Sequence, residues 1–256
     1  MTVALEEAPV ELSGTGAPPQ RWRWLRPFIP KRMQPYLRGF RKRIELVRAE
    51  RLGEPFRTIY PYTQVHPVRQ QNLLRLCELI EQEGVEGACV ECGVLDGGTA
   101  ALIAYATRAS RRPVHLFDAW EGLPETTAPD GVDARCWTGE VVGSPRRVGH
   151  VMSKVGIDPA RVVIHKGWFN DTFPLADVAR VALVHVDPDF YEPTRLCLEK
   201  WYPLLTPGGY MQFDDYSSFR GCRQAVDEFL RARPELPLKS FGRLEAKAYY
   251  FQKPVA

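Results

Sequence analysis

Short apolar runs and apolar residues at helical spacing alternate along most of this chain. Five runs typical of buried strands lie at 88–92, 113–117, 161–165, 181–186 and 209–213. Segments whose apolar residues recur at helical spacing lie before, between and after these runs, at 68–81, 99–108, 145–155, 191–202 and 219–231. Two further runs, 236–241 and 246–251, flank a Gly-Arg pair and predict a hairpin. The alternation predicts an α/β fold, with a mainly parallel seven-stranded sheet, helices on both faces and an antiparallel C-terminal hairpin.

The residues that precede this alternation have a different composition. Residues 1–20 are rich in Ser, Gly and Pro and contain no apolar core, which predicts a disordered tail and not a secretory signal. Residues 21–66 form a predicted helical arm. Within it, 21–51 hold eleven Lys and Arg against two Glu, although the whole chain has a net charge of +3. The sheet and its helices occupy the remaining residues, 67–256.

The basic arm raises the question of a partner, because basic segments can bind nucleic acid or an acidic membrane surface. Aromatic and aliphatic residues such as Trp22, Phe28 and Ile44 are interleaved with its charges. This pattern favours short helices that pack their apolar faces on the body or on a partner subunit. We therefore expect no nucleic-acid partner. We expect no membrane partner either, since no apolar run approaches the ~20 residues of a membrane helix.

Cysteine usage indicates the compartment. The six cysteines are scattered over predicted strands, helices and loops, which is not a disulfide framework, so we expect the reducing cytoplasm. Cys89 and Cys92 form a CxxC pair, but residues three apart in a strand face opposite sides of the sheet. The pair is therefore not expected to bind a metal.

Acidic residues follow two of the predicted strands. Asp187 and Asp189 come after the run 181–186, and Asp214 and Asp215 come after 209–213. Ligands of open α/β sheets bind outside the carboxyl ends of the strands, so these four carboxylates are expected to converge on one crevice. Carboxylates that close repel unless a cation lies between them, and oxygen ligands favour Mg²⁺ or Ca²⁺. The pattern predicts a metal-dependent enzyme.

Two conditions limit this metal hypothesis. Adjacent strand residues face opposite sides, so Asp214 and Asp215 can share a metal only if the strand ends there and the chain turns. An Asp near a helix start also serves as a cap, and Asp189 precedes the helix predicted at 191–202.

A glycine-containing turn joins the first strand to the first helix, with the sequence ECGVLDGGT at 91–99. Its glycines allow close backbone approach to a ligand, and the helix behind it offers free N–H groups. The turn has neither the GxGxxG of nicotinamide enzymes nor the GK[ST] of a Walker loop. Asp118 ends the second strand, where an acid commonly accepts hydrogen bonds from ribose hydroxyls. Tight packing of the turn and a local Asx turn at Asp118 are the alternatives.

These segments together resemble the macrocin O-methyltransferase family of S-adenosylmethionine-dependent enzymes. The resemblance runs from about residue 62 to residue 229. It rests on motifs in order: ECGV at 91–94 with GG at 97–98, LFDAWEGLP at 116–124, KGWF at 166–169, DPDFYEPT at 187–194, LLTPGG at 204–209 and DDY at 214–216.

The resemblance implies a Rossmann-like class I methyltransferase fold, S-adenosylmethionine and Mg²⁺ as cofactors, and a homodimer or larger homo-oligomer. It makes Asp187, Asp214 and Asp215 metal ligands and either Asp189 or Asp187 the catalytic base. The implied cofactor-binding residues are Glu91, Gly93, Gly97, Gly98, Thr99, Asp118, Gly167 and Trp168. The implied acceptor is a small molecule with a hydroxyl group, on the sugar of a glycosylated natural product.

Three other functions are compatible with parts of the pattern. A Mg²⁺-dependent catechol-type methyltransferase would share the fold and the chemistry but take an aromatic diol. A nicotinamide oxidoreductase is disfavoured by the missing GxGxxG. A nucleic-acid-binding protein would use the basic arm and show steep salt dependence.

Overall fold

The computed structural model describes residues 47, 50–243 and 247–255 of the chain. Its seven strands form one sheet in the order β3-β2-β1-β4-β5-β7-β6. The strands are β1 Ala88–Cys92, β2 Val114–Asp118, β3 Val162–Lys166, β4 Val181–Val186, β5 Leu205–Phe213, β6 Lys239–Phe241 and β7 Ala248–Gln252. β1 to β5 pair in parallel, whereas β7 is antiparallel to β5 and to β6. The predicted α/β fold is confirmed.

Helices cover both faces of this sheet. They are α1 Phe56–Ile59, α2 Pro67–Gln82, α3 Gly98–Ala106, α4 Pro145–Lys154, α5 Phe169–Thr172, α6 Tyr191–Leu204 and α7 Arg220–Arg231. Short 3₁₀ turns lie at Tyr60–Tyr62, Ala128–Asp130, Val132–Trp137, Pro159–Arg161 and Asp215–Ser217. None of the helices within the described residues is long and apolar enough to cross a membrane.

The sheet separates two apolar layers. Residues of α1 to α4 pack on one face, with Leu73, Leu76 and Ile103 fully buried there. Residues of α5, α6 and α7 pack on the other, around Trp201 and Phe117. All five residues of β1 are buried, including the charged Glu91, because the strand contributes side chains to both layers.

The two cysteines of β1 confirm this alternation. Cys89 belongs to the α1–α4 layer and Cys92 to the α5–α7 layer, so the CxxC thiols point away from each other, as predicted. Both are buried and free.

Element boundaries differ from the prediction mainly at the C-terminus. The strand predicted at 236–241 begins only at Lys239. Pro237 has no N–H to donate to a ladder, which explains the later start. β5 begins at Leu205, four residues before the predicted apolar run, because Leu205 pairs with Val181 of β4.

The described end of the predicted N-terminal arm packs on the body. Phe56, Ile59 and Tyr62 are buried in the layer that contains α3. The packing of apolar faces was predicted for residues 21–51, so it stays a prediction. The predicted tail at 1–20 and the basic part of the arm lie outside the described residues, apart from positions 47, 50 and 51.

The order of strands locates the binding crevice. Moving outward from β1, the chain adds β2 and β3 on one side and β4 and β5 on the other. The crossover helices consequently diverge at the carboxyl ends of β1 and β4, which is where open α/β sheets bind ligands.

Candidate active site

A cavity of about 650 Å³ lies at the carboxyl ends of the strands, where the crevice was expected. Its wall includes residues after β1, β2, β3, β4 and β5, together with residues 63–66 and part of the 119–143 loop. All four predicted acidic residues line it: Asp187, Asp189, Asp214 and Asp215.

The turn after β5 meets the condition set for Asp214 and Asp215. β5 ends at Phe213, Asp214 has helical backbone angles (φ −71°, ψ −44°) and Asp215 begins a 3₁₀ turn. The strand alternation therefore stops before Asp214, and both carboxyl groups reach the same cavity. Asp187, Asp214 and Asp215 each place a carboxylate oxygen within 4.8 Å of the others.

The turn after β4 also departs from strand geometry. Asp189 has a left-handed backbone with φ of +62°, which is uncommon for a residue with a side chain. Asp189 and Asp187 both line the cavity wall.

Asp189 is not the cap of α6, the alternative that its position allowed. The first N–H of α6, from Tyr191, donates to Asp130 Oδ1 at 2.7 Å. Asp130 lies in the 119–143 loop, and its Oδ2 accepts the Thr127 N–H at 2.7 Å. Because Asp130 takes the capping role, the Asp189 carboxyl group stays available at the cavity.

Burial raises the pKa of Asp187, Asp189 and Asp215. Desolvation, followed by repulsion from the neighbouring carboxylates, holds the pKa of Asp187 and of Asp189 well above the usual range. The same causes raise the pKa of Asp215 to about 6. The cluster therefore carries a free-energy penalty at neutral pH that a bound cation would relieve.

Arg69 is the basic residue that balances the cluster, and the sequence reading missed it. From α2, its Nη1 donates to Asp214 Oδ2 at 2.6 Å and its Nη2 to the Ser218 hydroxyl at 3.1 Å. Burial opposes the charge of Arg69, but the carboxylates of Asp214 and Asp215 outweigh it and raise the pKa of Arg69. The sequence did contain a signal for Arg69, because its spacing from Leu73 and Leu76 places it on the buried face of α2.

Glu91 lies beneath the cavity and not in its wall. Its Oε1 is 2.8 Å from His185 Nδ1, and both side chains are fully buried on neighbouring strands. His185 Nε2 lies 4.0 Å from Asp214 Oδ1. Burial alone would lower the pKa of His185, but the hydrogen bond to Glu91 and the charge of Glu91 raise it. Glu91 therefore fixes the imidazole of His185 behind Asp214, a predicted metal ligand. Direct contact between Glu91 and the cofactor stays a prediction, and these contacts do not favour it.

The glycine turn after β1 is held by Asp118. Its Oδ2 accepts the N–H groups of Val94 and Leu95 at 2.7 and 2.9 Å. Its Oδ1 accepts the Trp120 N–H at 2.6 Å, which is the local turn considered as an alternative. Asp118 and Gly93 both line the cavity, so a contact with ribose stays compatible with this structural role.

Apart from Glu91, the predicted cofactor residues divide into two groups. Gly93, Thr99, Gly167 and Trp168 line the cavity together with Asp118. Gly97 and Gly98 instead allow close packing. A Cβ at Gly97 would lie 3.0 Å from the Val148 Cα, and one at Gly98 would lie 2.7 Å from the Thr63 Cβ.

The cluster of acids has the donor set that a hard cation requires. Asp214 Oδ1 and Asp215 Oδ2 are buried and have no hydrogen-bond partner among the described residues. Such orphaned buried oxygens are costly unless a ligand satisfies them. Three carboxylates, joined by no sulfur or nitrogen ligand from the part of the chain that the structure describes, fit Mg²⁺ better than Zn²⁺.

We expect Mg²⁺ to stabilise the protein at pH 8 and not at pH 5. The Asp pKa values are raised relative to the unfolded chain, so repulsion destabilises the metal-free fold as the pH rises through them. A hundredfold excess of Mg²⁺ over its Kd should raise Tm by about 5 °C or more at pH 8. At pH 5, below the pKa of Asp215, the proton on that carboxyl group should compete with the metal, so little metal should bind.

Differential scanning fluorimetry with KCl of matched ionic strength as the control measures this difference. An equal Mg²⁺ shift at both pH values would contradict it.

The sheet order, the acids after β4 and β5 and the glycine turn after β1 together define a class I methyltransferase fold. Comparison with known proteins gives the family. The macrocin-O-methyltransferase (TylF) family model matches residues 41–253, and the chain belongs to this family of O-methyltransferases. The alternative of a nicotinamide oxidoreductase is thereby set aside.

Two curated relatives are similar over most of the fold. One is 8-demethyl-8-(2,3-dimethoxy-alpha-L-rhamnosyl)-tetracenomycin-C 4′-O-methyltransferase of Streptomyces olivaceus, 35% identical over 66% of this chain and 67% of that protein. The other is mycinamicin III 3″-O-methyltransferase of Micromonospora griseorubida, 34% identical over 71% of this chain and 74% of that protein.

Solved structures give the same fold. The O-methyltransferase NovP superposes with a TM-score of 0.67 at 28% identity, over 76% of this chain and 83% of that one. The apo structure of CalS11, described as a TDP-rhamnose 3′-O-methyltransferase, superposes with a TM-score of 0.53 at 22% identity, over 91% of this chain and 92% of that one.

Proposed function

We propose that this protein transfers a methyl group from S-adenosylmethionine to a sugar hydroxyl of a glycosylated natural product, with Mg²⁺ as the metal. The observation that carries the proposal is the placement of three clustered carboxylates beside the glycine turn, in one cavity. The relatives support the choice of acceptor, because their names specify O-methylation of a rhamnosyl-tetracenomycin and of mycinamicin III.

The cofactor end of the cavity is formed after β1, β2 and β3. We assign Gly93, Thr99, Asp118, Gly167 and Trp168 to S-adenosylmethionine, since all five line the cavity there. Gly93, with φ of +87°, packs directly against the loop after β4, because a Cβ at this position would lie 2.1 Å from the Asp187 carbonyl oxygen. Trp168 is 38% exposed and offers a flat apolar surface for the adenine.

The metal end is formed after β4 and β5. Asp187, Asp214 and Asp215 would hold Mg²⁺, which when bound supplies Lewis acidity that lowers the pKa of the acceptor hydroxyl. Arg69 holds Asp214 through its Oδ2, which leaves Oδ1 free for a ligand.

Asp189 is our candidate for the base. It lines the cavity but lies outside the three-residue metal cluster, so its carboxylate is available to accept the proton from the hydroxyl. Burial raises the pKa of Asp189 above the usual range, and a higher pKa makes a carboxylate a stronger proton acceptor. Asp187 was the other candidate, and its place in the metal cluster favours Asp189.

Cytoplasmic location, homo-oligomer formation and the absence of a nucleic-acid partner stay predictions. The catechol-type alternative differs only in the acceptor. Incubating the protein with S-adenosylmethionine, Mg²⁺ and paired glycosides and catechols, with product mass detection, tests the proposal. Methylation of catechols alone would contradict it.

Replacing Asp118 with Ala should weaken S-adenosylmethionine binding by about tenfold or more, since a good hydrogen bond to a charged group contributes about 1.5–3 kcal/mol. Calorimetry measures the affinity, and Glu121→Ala, an exposed acid three residues away, is the control. Because Asp118 also anchors the turn, a second ligand is needed. S-adenosylhomocysteine without its ribose hydroxyls should bind wild type more weakly than the parent compound, whereas Asp118→Ala should not distinguish them. Equal discrimination by both proteins would rule out the ribose contact.

A further inference from the structure

We propose that Trp137 and Phe219 form a subsite for an apolar aglycone, and that the acceptor is therefore a completed glycoside and not a nucleoside-diphosphate sugar. This inference rests on the proposed function and assigns the far end of the same cavity. Two independent observations carry it: an aromatic wall beside the acids and the charge of the cavity lining.

The aromatic wall lies directly beside the predicted metal ligands. Phe219 follows the turn that carries Asp214 and Asp215, and its N–H donates to the Asp215 carbonyl at 2.9 Å. Its ring meets that of Trp137 edge to face, with centroids 6.1 Å apart. Both rings line the cavity and are half-buried, so each has a free apolar surface. Phe190, fully buried, supports Phe219 from behind at 5.8 Å.

The wall is held in place although Trp137 belongs to a long loop. Asp130 ties the loop to the Tyr191 N–H at the start of α6. A Cβ at Gly221 of α7 would lie 1.8 Å from Asp130 Oδ1, so the loop lies directly against α7. At the other end of the loop, Gly122 approaches the Gly139 carbonyl so closely that a Cβ would lie 2.6 Å from it. Trp137 is therefore presented by a packed loop, which limits the entropy lost when an apolar group binds.

The charge of the lining opposes a diphosphate. Arg69 is the one Lys or Arg among the described lining residues, and its Nη atoms are already bonded to Asp214 and Ser218. Seven carboxylates line the same cavity: Asp118, Glu125, Asp187, Asp189, Glu192, Asp214 and Asp215. A cation held by three of them leaves four, of which Glu192 is paired with Arg195, so Asp118, Glu125 and Asp189 remain without a basic partner in the described wall. A diphosphate would face these charges without a basic partner from the described wall, whereas phosphate sites normally supply Arg, Lys or helix N-termini.

An uncharged aglycone is not repelled by the carboxylates and needs no basic partner. Its apolar surface would be removed from water against Trp137 and Phe219, and its sugar would extend toward Asp187, Asp189 and Asp215. In a reaction sequence, the class of reaction that supplies this substrate is glycosyl transfer onto the aglycone, so methylation follows attachment of the sugar.

Binding of small probes to the full chain tests the subsite. Phenyl and methyl glycosides of rhamnose and of glucose, and the thymidine-diphosphate derivatives of both sugars, are titrated by calorimetry with Mg²⁺ and S-adenosylhomocysteine present. We expect the phenyl glycosides to bind about tenfold tighter than the methyl glycosides, as for a stacked aromatic ring. The nucleotide sugars should bind no tighter than the methyl glycosides.

Variants assign the preference to its residue. Trp137→Ala should abolish the difference between phenyl and methyl glycosides, and Trp137→Phe should retain most of it. Trp168→Ala, a tryptophan at the cofactor end, should weaken S-adenosylhomocysteine binding and leave the phenyl-to-methyl ratio unchanged. Tightest binding of a nucleotide sugar, or equal binding of phenyl and methyl glycosides to wild type, would overturn the inference. Because the readout is binding, a protein that shows this preference but methylates no acceptor would refute only the proposed function.

Discussion

Asp215→Asn should reduce methyl transfer by about a thousandfold while S-adenosylmethionine still binds. The substitution removes one charge and one ligand oxygen from the predicted metal cluster, and Lewis-acid stabilisation amounts to several kcal/mol, where each 1.36 kcal/mol is tenfold in rate. EDTA should abolish the activity of the wild type, and Mg²⁺ should restore it. Rates come from product mass detection and cofactor affinity from calorimetry.

Asp215 is a better test than Asp214. Asp214 is the ion-pair partner of the buried Arg69, so its replacement would also strand a buried positive charge. Asp215 has no such partner among the described residues, and its Oδ2 is unsatisfied. Asp133→Asn, an exposed acid of the 119–143 loop, is the matched control and should keep full activity. Full activity of metal-free enzyme would refute the metal mechanism and leave the fold and the family unchanged.

Arg69→Met should destabilise the protein by about 3–5 kcal/mol and also lower activity strongly. Removing one partner of a buried ion pair leaves the other charge uncompensated, and here that charge joins several carboxylates. The loss should be greatest above the pKa of Asp215, about 6, where that carboxyl group is ionised. Urea denaturation of metal-free protein at several pH values measures the free energy of unfolding.

Arg75→Met, two turns nearer the end of the same helix, is the matched control. Arg75 is half-buried, donates to Asn72 Oδ1 at 2.8 Å and lies over the rings of Phe241 and Tyr250. Its contacts involve no carboxylate, so we expect a loss of about 1 kcal/mol, in the range of ordinary substitutions. Equal losses for both variants would show that Arg69 acts through packing and not through the charge of the cluster.

The sequence predicted the carboxylate cluster because its parts are local. An apolar run that stops at an acid marks a strand end, and parallel strands bring their carboxyl ends to one edge. Asp187 and Asp214 therefore meet although they are distant in sequence. The glycine turn could also be predicted from the sequence, because it joins two elements that are consecutive in the chain. Even so, Gly97 and Gly98 proved to be needed for packing on Val148 and Thr63, which no local pattern reports.

Thus the order of strands and helices, the position of the crevice, the acids in it and the family are determined by the sequence read alone. Only the tertiary structure decided which groups balance and orient those acids. Arg69 reaches Asp214 across 145 residues, Asp130 caps α6 across 61, and Glu91 turns from the cavity to His185. The physical reason is that periodicity encodes which face of an element is buried, whereas the partner of a buried charge depends on how separate elements pack, and that packing is not repeated in the chain.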